Sequence, residues 1–459
     1  MFKILKDKKL ISCNLKTRLE VVIKKITNNR CGGIIITKNK KFYGYLQEGD
    51  IKKKILNKNI LKIELKDVIN RNPLILKSED SLSKQIKTLR KNNRLRAPII
   101  NQKKEIKGIM YFHKENNVVK DLKINKDLKK NILLVGGAGY IGSILCEELL
   151  KKNFIVTIFD KFKFGLNSIN HLRSRKNLEI IKGDTNDTKM LYKICFGKDA
   201  IVDLSGLVGD PACAVNENNT IVNNYINTKN LIDIAQLLNV KRFIYISSCS
   251  VYGASKKNQS LNEKSFLNPV SLYAETKVLV EKYLFKSKNK NFEPVILRLA
   301  TVFGLSPRLR FDLVVNLFTL MIYAKKNITV FGGNQFRPLV HVKDVSNAIT
   351  KCLVARSTIV KKQIFNVGSN NLNLTIQEIA EKIKEINPKI KINLEHQIED
   401  KRNYIVNFNK INSKLKFKTK YNITNGSIEL YNYLKKKKIK NLKNVIYSNF
   451  SIELKNLYN

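Results

Sequence analysis

Hydrophobic positions in the first 125 residues repeat along the chain. Gly44 aligns with Gly108, a shift of 64 positions, and the same shift places the largely apolar run 33–36 on the run 97–100. The periodicity of each copy predicts a helix followed by a buried strand, a polar turn and a second strand. The two helices are expected at Arg18–Thr27 and Leu82–Lys91. The pattern therefore predicts two copies of one α+β unit that pack as a pair.

From residue 131 onward, short apolar strands alternate with helical stretches such as 220–238. The strands are expected at Asn131–Val135, Phe154–Phe159, Leu178–Lys182, Ala200–Leu204, Val240–Ser247 and Pro294–Ala300. Strands that alternate with helices are typical of a parallel, doubly wound α/β sheet. Ligands of such a sheet bind outside the carboxyl ends of its strands, so functional residues are expected where these strands end.

These patterns divide the 459 residues into four parts. The parts are a paired module at 1–125 with repeats at about 10–60 and 74–120, a linker at 126–130, an α/β domain at 131–435 and a basic tail at 436–459. The tail begins within a block of consecutive lysines, 435–438, and such blocks are usually solvated.

The 86 Lys and Arg residues exceed the 37 Asp and Glu residues and give a formal net charge of +49. Such an excess indicates a polyanionic partner where it concentrates on one element. Here the lysines are spread along the whole chain beside abundant Asn and Ile, which favours a solvated basic surface. We therefore expect no specific nucleic-acid partner.

Membrane spans, disulfide bonds and metal sites lack their sequence signals. The chain has no run of about 18 uncharged apolar residues, and its basic start lacks the apolar core of a signal peptide. The 7 cysteines are scattered, without CxxC pairs or histidines at ligand spacing. We expect a cytoplasmic protein with no membrane insertion and no metal.

The first strand of the α/β domain leads into a glycine-rich turn and a helix. The spacing Gly136, Gly139, Gly142 permits a tight turn, backbone approach to a pyrophosphate and close helix–strand packing. Asp160 ends the next strand about 20 residues later, where a carboxylate binds ribose hydroxyls. The residues assigned to a dinucleotide from this motif are Gly136, Gly139, Tyr140, Ile141, Gly142 and Asp160.

Two lysines that follow Asp160 bear on the choice of dinucleotide. An acidic residue at this position favours NAD, because it binds the ribose hydroxyls that NAD retains. Lys161 and Lys163 could in turn accept the 2′-phosphate of NADP. The sequence therefore predicts NAD as the cofactor, with NADP as the alternative.

A tyrosine and a lysine lie one helical turn apart in Tyr273-Ala-Glu-Thr-Lys277. On a helix this spacing places both side chains on one face. The Lys277 ammonium is expected to lower the pKa of the Tyr273 phenol, which titrates near ~10 when unperturbed. A tyrosinate formed in this way can act as a base.

With the glycine motif and the segment 247–253, these residues make 131–435 resemble the extended short-chain dehydrogenase/reductase family. The resemblance is to its NAD-dependent epimerase/dehydratase branch, typified by UDP-glucose 4-epimerase. It implies a Rossmann-type fold with a smaller C-terminal substrate-binding part, and a homodimer. It also implies that Ser248, Tyr273 and Lys277 are catalytic, and that Tyr273 and Lys277 also contact the cofactor.

Further positions match ligand contacts of that family. The implied cofactor contacts are Asp184, Ser205, Gly206 and Asn224. Arg337 and Arg402 match residues that bind the diphosphate of a nucleotide sugar, because a guanidinium can bind a diphosphate through two hydrogen bonds. These residue types also serve in turns and on surfaces, so a purely structural role is the alternative.

The paired module resembles the tandem cystathionine-β-synthase (CBS) module. The match rests on the repeat and on the segment 44–51, which is similar to the family's strand-to-helix signature. The resemblance implies that Asp50 binds the ribose of an adenosine nucleotide, whereas Lys114 occupies that position in the second copy. A dimerising module without a ligand is the alternative.

The resemblance implies an enzyme of polysaccharide precursor synthesis, regulated or oligomerised by the CBS module. In this reaction Tyr273 takes a hydroxyl proton from a nucleotide sugar and NAD takes a hydride, which gives a keto sugar. Return of the hydride to the other face gives 4-epimerisation. A 4,6-dehydratase usually has Asp-Glu directly after the catalytic hydroxyl, where this chain has Cys249 and Ser250. A dehydratase, a keto-sugar reductase and a non-catalytic protein that senses NAD or adenosine nucleotides are the alternatives.

Overall fold

A computed structural model describes residues 2–29, 31–47, 50, 64–92, 94, 96–112, 130–253, 259–395, 403–439, 441–442 and 444–457. These residues form two compact units, and the chain passes from the first to the second near residue 128. No helix in the described ranges is both long enough and apolar enough to cross a membrane.

The first unit contains two similar helix–hairpin copies. Its elements are β1 (Phe2–Leu5), α1 (Lys8–Ile11), β2 (Ser12–Asn14), α2 (Leu19–Asn28), β3 (Gly33–Lys38), β4 (Lys41–Gln47), α3 (Leu65–Val68), β5 (Leu76–Lys77), α4 (Leu82–Lys91), β6 (Arg96–Ile100) and β7 (Ile106–Phe112). β3 and β4 form one antiparallel hairpin, β6 and β7 the other, and a short strand runs parallel to each, β2 beside β3 and β5 beside β6. Both predicted helices are present within one residue at each end. Lys114 lies outside the described residues.

The second unit is built on a seven-stranded parallel sheet. Its strands, with those of four short accessory pairings, are β8 (Asn131–Val135), β9 (Ile155–Asp160), β10 (Leu178–Lys182), β11 (Ala200–Asp203), β12 (Arg242–Ser248), β13 (Ser260–Leu261), β14 (Glu293–Leu299), β15 (Thr301–Phe303), β16 (Ile328–Phe331), β17 (Phe336–His341), β18 (Gln363–Val367), β19 (Asn373–Thr375), β20 (Ile392–Glu395) and β21 (Ile405–Val406). Its helices are α5 (Tyr140–Lys151), α6 (Thr188–Cys195), α7 (Asp210–Ala214), α8 (Glu217–Ile221), α9 (Asn227–Leu237), α10 (Leu272–Phe285), α11 (Val314–Tyr323), α12 (Val342–Val354), α13 (Ser357–Val360), α14 (Ile376–Lys384), α15 (Asn409–Leu415), α16 (Ile423–Lys437) and α17 (Asn449–Leu457).

The order of the large sheet creates one crevice. The order is β10-β9-β8-β11-β12-β14-β18, and every pairing is parallel. The chain starts in β8, moves outward to β10 and then crosses back to β11 on the other side of β8. The connections after β8 and β11 therefore leave in opposite directions, which opens a ligand crevice at their carboxyl ends. The Rossmann-type fold is confirmed, and all six predicted strands are present within two residues at each end.

A smaller C-terminal part has its own apolar core. It is built from β15–β17 with β19 and β20, and from α11, α14 and the start of α16. Phe303, Phe318 and Val330 are buried in this core. The expected smaller part beside the Rossmann sheet is thus present.

The structure differs from expectation in one helix and in the tail. The helix expected at 220–238 is interrupted by a π-helical turn, Val222–Ile226. This turn places Asn224 against Leu207, whose backbone N–H donates to Asn224 Oδ1 at 2.7 Å. The basic tail expected at 436–459 contains α17, which folds onto the second unit. The physical reason is that apolar residues follow the lysines: the Tyr447 ring packs against Phe311 at 5.0 Å, and Ile452 is buried.

A buried ion pair ties the catalytic helix of the sequence analysis to the sheet. Glu281 of α10 pairs with Arg298 of β14 at 2.6 Å, and both side chains are at most 4% exposed. Glu281 also accepts a hydrogen bond from Ser247 Oγ at 2.6 Å, and Arg298 donates to the Tyr252 hydroxyl at 2.9 Å. The network thereby fixes α10 against the end of β12.

We predict that Glu281→Gln destabilises the protein. Removing one partner of a buried pair leaves the other charge uncompensated, which costs about 3–5 kcal/mol. The control is Lys151→Met, which breaks the exposed pair between Lys151 and Glu147 and should cost about 0.5 kcal/mol. Urea unfolding of the full chain measures both changes. Equal shifts for the two variants would show that the buried pair does not hold α10.

Candidate active site

A cavity of about 1230 Å³ lies at the carboxyl ends of the central strands and extends into the smaller part. Most of the residues expected in the site line it. These residues are Gly136, Gly139, Tyr140, Ile141, Gly142, Asp160, Ser205, Gly206, Ser248, Tyr273, Lys277 and Arg337. Asp184 and Asn224 do not line it, and Arg402 lies outside the described residues.

The glycine turn forms a cradle that fits a dinucleotide. Gly136 has φ +78°, and a Cβ there would lie 2.9 Å from the Leu204 backbone. A Cβ on Gly142 would lie 2.7 Å from Gly136 O, so the helix could not approach the turn as closely. α5 begins directly after Gly139, and the first backbone N–H groups of a helix can bind a phosphate. The backbone thus leaves room for a pyrophosphate where the motif predicts one.

Asp160 supports this turn as well as lining the cavity. Its Oδ2 accepts a hydrogen bond from Ala138 N at 3.0 Å, and its Oδ1 accepts one from Phe162 N at 2.8 Å. Burial raises the pKa of Asp160, and the two backbone N–H groups oppose that rise. A carboxylate held at the edge of the cavity is suited to binding ribose hydroxyls.

Asp184 and Asn224 act through neighbouring residues. Asp184 accepts a hydrogen bond from Asn186 N at 2.8 Å and pairs with Lys161 at 2.9 Å. Asn224 holds the loop after β11 through two hydrogen bonds to the Leu207 backbone. These contacts place both residues beside the wall of the crevice, and the expectation that they contact the cofactor stays a prediction.

Ser248, Tyr273 and Lys277 meet on one wall of the cavity. Burial raises the pKa of Tyr273, while hydrogen bonding with Ser248 acts in the opposite direction. The Lys277 ammonium donates to Ile246 O at 2.9 Å, and its Nζ lies 5.6 Å from the centre of the Tyr273 ring. Burial also affects Lys277, but in the opposite direction, because it lowers the pKa of an ammonium. Burial is the largest influence on the pKa of Tyr273 and raises it, opposite to the lowering expected from Lys277.

Cys249 and Ser250 point in different directions. Cys249 is buried away from the cavity, and its thiol donates to Arg298 O at 3.4 Å. Burial raises the pKa of this thiol. Ser250 lines the cavity, and its hydroxyl is buried without a hydrogen-bond partner. The residue directly after Ser248 therefore offers no proton donor to the site.

The sequence analysis missed several charged residues of the cavity. Arg308, Arg310 and Asp312 line it, and Arg310 pairs with Asp312 at 2.8 Å. Burial lowers the pKa of Arg308 to about 9, which reflects a positive charge with too little compensation. The run 308–312 holds three charged residues in a largely apolar stretch, a signal that could have pointed to them. Asn449, Phe450 and Glu453 of α17 also line the cavity, and no local motif marks them.

Arg337 lies in the buried wall formed by β17 and lines the cavity. Its Nη1 donates to Phe336 O at 2.8 Å. No group of three or more His, Cys, Asp or Glu side chains is arranged to hold a metal ion in the described part of the chain.

Comparison with known proteins identifies the second unit. The model of the NAD dependent epimerase/dehydratase family matches residues 132–368, which is more than half of the chain. The chain belongs to this family. It is an NAD-dependent enzyme, and the glycine cradle and Asp160 described above fit that cofactor. A CBS domain model matches residues 65–112, the second copy of the repeat.

Individual relatives carry several activities. An uncharacterised UDP-glucose epimerase of Bacillus subtilis is 32% identical over 48% of this chain and 72% of its own length. A dTDP-D-glucose 4,6-dehydratase of Dictyostelium discoideum is 28% identical over 57% of this chain, which spans 64% of that relative. A UDP-glucuronic acid 4-epimerase of Bacillus cereus, solved with UDP-glucuronic acid and NAD, is 26% identical with a TM-score of 0.60, over 67% of this chain and 99% of its own.

We predict that Gly139→Ala weakens NADH binding and leaves the fold intact. Gly139 has φ −74°, which alanine tolerates, and its Cβ would lie 3.2 Å from Gly136 O, within the turn where we expect the phosphates. The dissociation constant of NADH, measured by fluorescence titration, should rise about tenfold or more. Gly142→Ala is the comparison, because three backbone atoms within 2.7 Å of the new Cβ should also lower the unfolding temperature. Unchanged NADH binding in Gly139→Ala would exclude this turn as the dinucleotide site.

Proposed function

We propose that the protein is a nucleotide-sugar 4-epimerase with a UDP-sugar as its substrate. The observation that carries the proposal is the contact between Ser248 and Tyr273 on the wall of the cavity that also contains the glycine cradle. A hydrogen-bonded hydroxyl pair beside a dinucleotide site can exchange a proton with a substrate hydroxyl. The printed names of relatives that act on UDP-glucose or UDP-glucuronic acid support the choice of nucleotide.

The roles of the residues follow from their environments. NAD, when bound, supplies the acceptor and donor of hydride. Ser248 orients the Tyr273 hydroxyl, and Tyr273 in its ionised form takes the proton of the substrate hydroxyl as the carbon is oxidised, then returns it. Positive charge near the phenol favours its ionised form, and Arg310 contributes in that direction. The Lys277 ammonium donates to Ile246 O and thereby connects α10 to β12 in the same wall of the cavity.

Epimerisation is favoured over 4,6-dehydration by the environment of Cys249. Elimination of water needs an acid and a base beside the oxidised sugar. The Cys249 thiol faces Arg298 O, outside the cavity, and Ser250 offers a hydroxyl instead of a carboxyl group. The keto sugar can then be reduced again on its other face without loss of water.

The cationic part of the cavity favours an anionic substrate. Arg308 and Arg337 are buried in its wall, and Arg308 Nε has no hydrogen-bond partner. Buried guanidinium groups are stabilised by an anion that binds through two hydrogen bonds. A nucleoside diphosphate supplies such an anion, and we assign its diphosphate to Arg337.

A homodimer is part of the proposal. Leu279 and Phe285 of α10 are exposed, and so are Ile221 of α8 and Ile226 of the π-helical turn. These apolar side chains lie on helical segments that contact one another, α10 with α8 and with the π-helical turn, and we propose that they belong to one face. A second copy of the chain that covers this face would remove it from water.

The first unit is proposed to regulate the enzyme by binding an adenosine nucleotide. Asp50 accepts a hydrogen bond from Gln47 N at 2.9 Å, which fixes its carboxylate just beyond β4. A fixed carboxylate can accept hydrogen bonds from ribose hydroxyls.

We predict that Asp50→Ala weakens the binding of AMP or ATP to the full chain about tenfold, as measured by isothermal titration. Asp80→Ala is the control, since Asp80 forms an exposed pair with Lys84 in the second copy. AMP and ATP affinities equal to those of the unsubstituted protein would remove Asp50 from the nucleotide site.

We predict that Tyr273→Phe abolishes turnover of UDP-sugars while NADH still binds. The loss should be at least about 10²-fold, because the proton transfer has no other group. Tyr192→Phe is the matched control, since the Tyr192 hydroxyl is buried without a partner outside the cavity. Mass spectrometry and chromatography of the products separate an isomer of unchanged mass from a product that has lost water. Water loss would replace epimerase by dehydratase, and full activity in Tyr273→Phe would contradict the mechanism.

A further inference from the structure

Two lysines stand where a dinucleotide-binding fold distinguishes NAD from NADP. Lys161 and Lys163 follow Asp160 at the end of β9, and both line the cavity. Cationic side chains at this point accept the 2′-phosphate that NADP carries and NAD lacks. Two unpaired lysines here would therefore favour NADP.

Each lysine is paired with a carboxylate. Lys161 pairs with Asp184 at 2.9 Å, and both side chains are 42% exposed. Lys163 pairs with Glu453 at 2.5 Å, and the Glu453 side chain is only 8% exposed. Solvent and salt screen the exposed pair, whereas the enclosed pair keeps most of its electrostatic interaction. Glu453 also lines the cavity, unlike Asp184.

The position of Glu453 is fixed by the start of α17. Asn449 N donates to Asp312 Oδ2 at 3.1 Å, and Asn449 Nδ2 donates to Val208 O at 2.9 Å. Arg308 Nη2 donates to Asn449 Oδ1 at 2.7 Å. Three hydrogen bonds of Asn449 thus fix the start of the helix, and the Glu453 carboxylate lies next to Lys163.

We propose that Glu453 is a specificity-determining residue that excludes nucleotides with a 2′-phosphate. Its carboxylate already pairs with Lys163, the cation that a 2′-phosphate would need. It also adds a negative charge beside the position of that phosphate. A 2′-phosphate would have to displace a largely buried carboxylate from Lys163, whereas NAD leaves the pair intact. The inference rests on the nucleotide site proposed at the glycine turn and Asp160, and it is independent of epimerisation.

Glu453→Gln tests the proposal, because it keeps the shape of the side chain and removes its charge. Dissociation constants for NADH and NADPH are measured by fluorescence titration of the full chain after retained nucleotide has been removed. We expect NADPH to bind about tenfold tighter than it binds the unsubstituted protein, with NADH changed by less than about threefold. The ratio of the two constants is the readout, because a general loss of folded protein leaves it unchanged.

Two further variants identify the charges responsible. Asp184→Asn removes the carboxylate that pairs with Lys161 at the exposed edge of the cavity and should change the ratio by less than about threefold, because solvent already screens this pair. The double variant with Glu453→Gln and Lys163→Met should not show the gain in NADPH binding, because it lacks the lysine that Glu453→Gln releases from its ion pair. An unchanged ratio in Glu453→Gln, or a gain that persists without Lys163, overturns the proposal. If NADH binding itself proves independent of Gly139, the nucleotide site fails instead, and the two failures are thereby distinguished.

Discussion

The cavity wall that carries Ser248 and Tyr273 depends on one buried ion pair, Glu281 with Arg298. Parallel strands and a helix that packs across them can slide relative to each other unless a directional contact fixes them. The pair supplies that contact, and the hydrogen bond from Ser247 to Glu281 extends it to the residue beside Ser248. Ser248 and Tyr273 come from different elements, so their contact exists only while α10 keeps its register against β12. A buried ion pair stays ionised only while both partners are present, so the loss of either Glu281 or Arg298 removes this directional contact between α10 and the sheet.

Charge is distributed differently on the surface and in the cavity. The excess of lysine is spread along the whole chain, where water solvates an ammonium at little cost. The cavity instead holds the guanidinium groups of Arg308, Arg310 and Arg337. A planar guanidinium is more weakly hydrated than an ammonium and binds phosphate through two hydrogen bonds. The large net charge therefore says little about the ligand, whereas the enclosed Arg308 and Arg337 support the proposed diphosphate; Arg310 is already paired with Asp312.

Local motifs were predictable from sequence, and contacts between distant segments were not. The glycine turn and the Tyr273–Lys277 pair each depend on spacing within one element, so the residue pattern fixes them. The pKa of Tyr273 depends on how far the cavity encloses it, and that burial, which raises the pKa, is not visible in the spacing of Tyr273 and Lys277. Glu453 lies 290 positions from Lys163. No periodicity in the basic tail shows that such a residue returns to the active site.

The return of α17 has a consequence for the shape of the cavity. Asn449 bonds to Val208 of the loop after β11 and to Arg308 and Asp312 of the smaller part. Glu453 bonds to Lys163 of the loop after β9. Three loops from both halves of the site are thus attached to one short helix, and none can move outward without breaking a hydrogen bond to it. Because the Glu453 side chain is only 8% exposed, separating the pair leaves its carboxylate a poorly solvated charge. A segment that contributes no strand to the Rossmann sheet therefore connects the loops on both sides of the cavity.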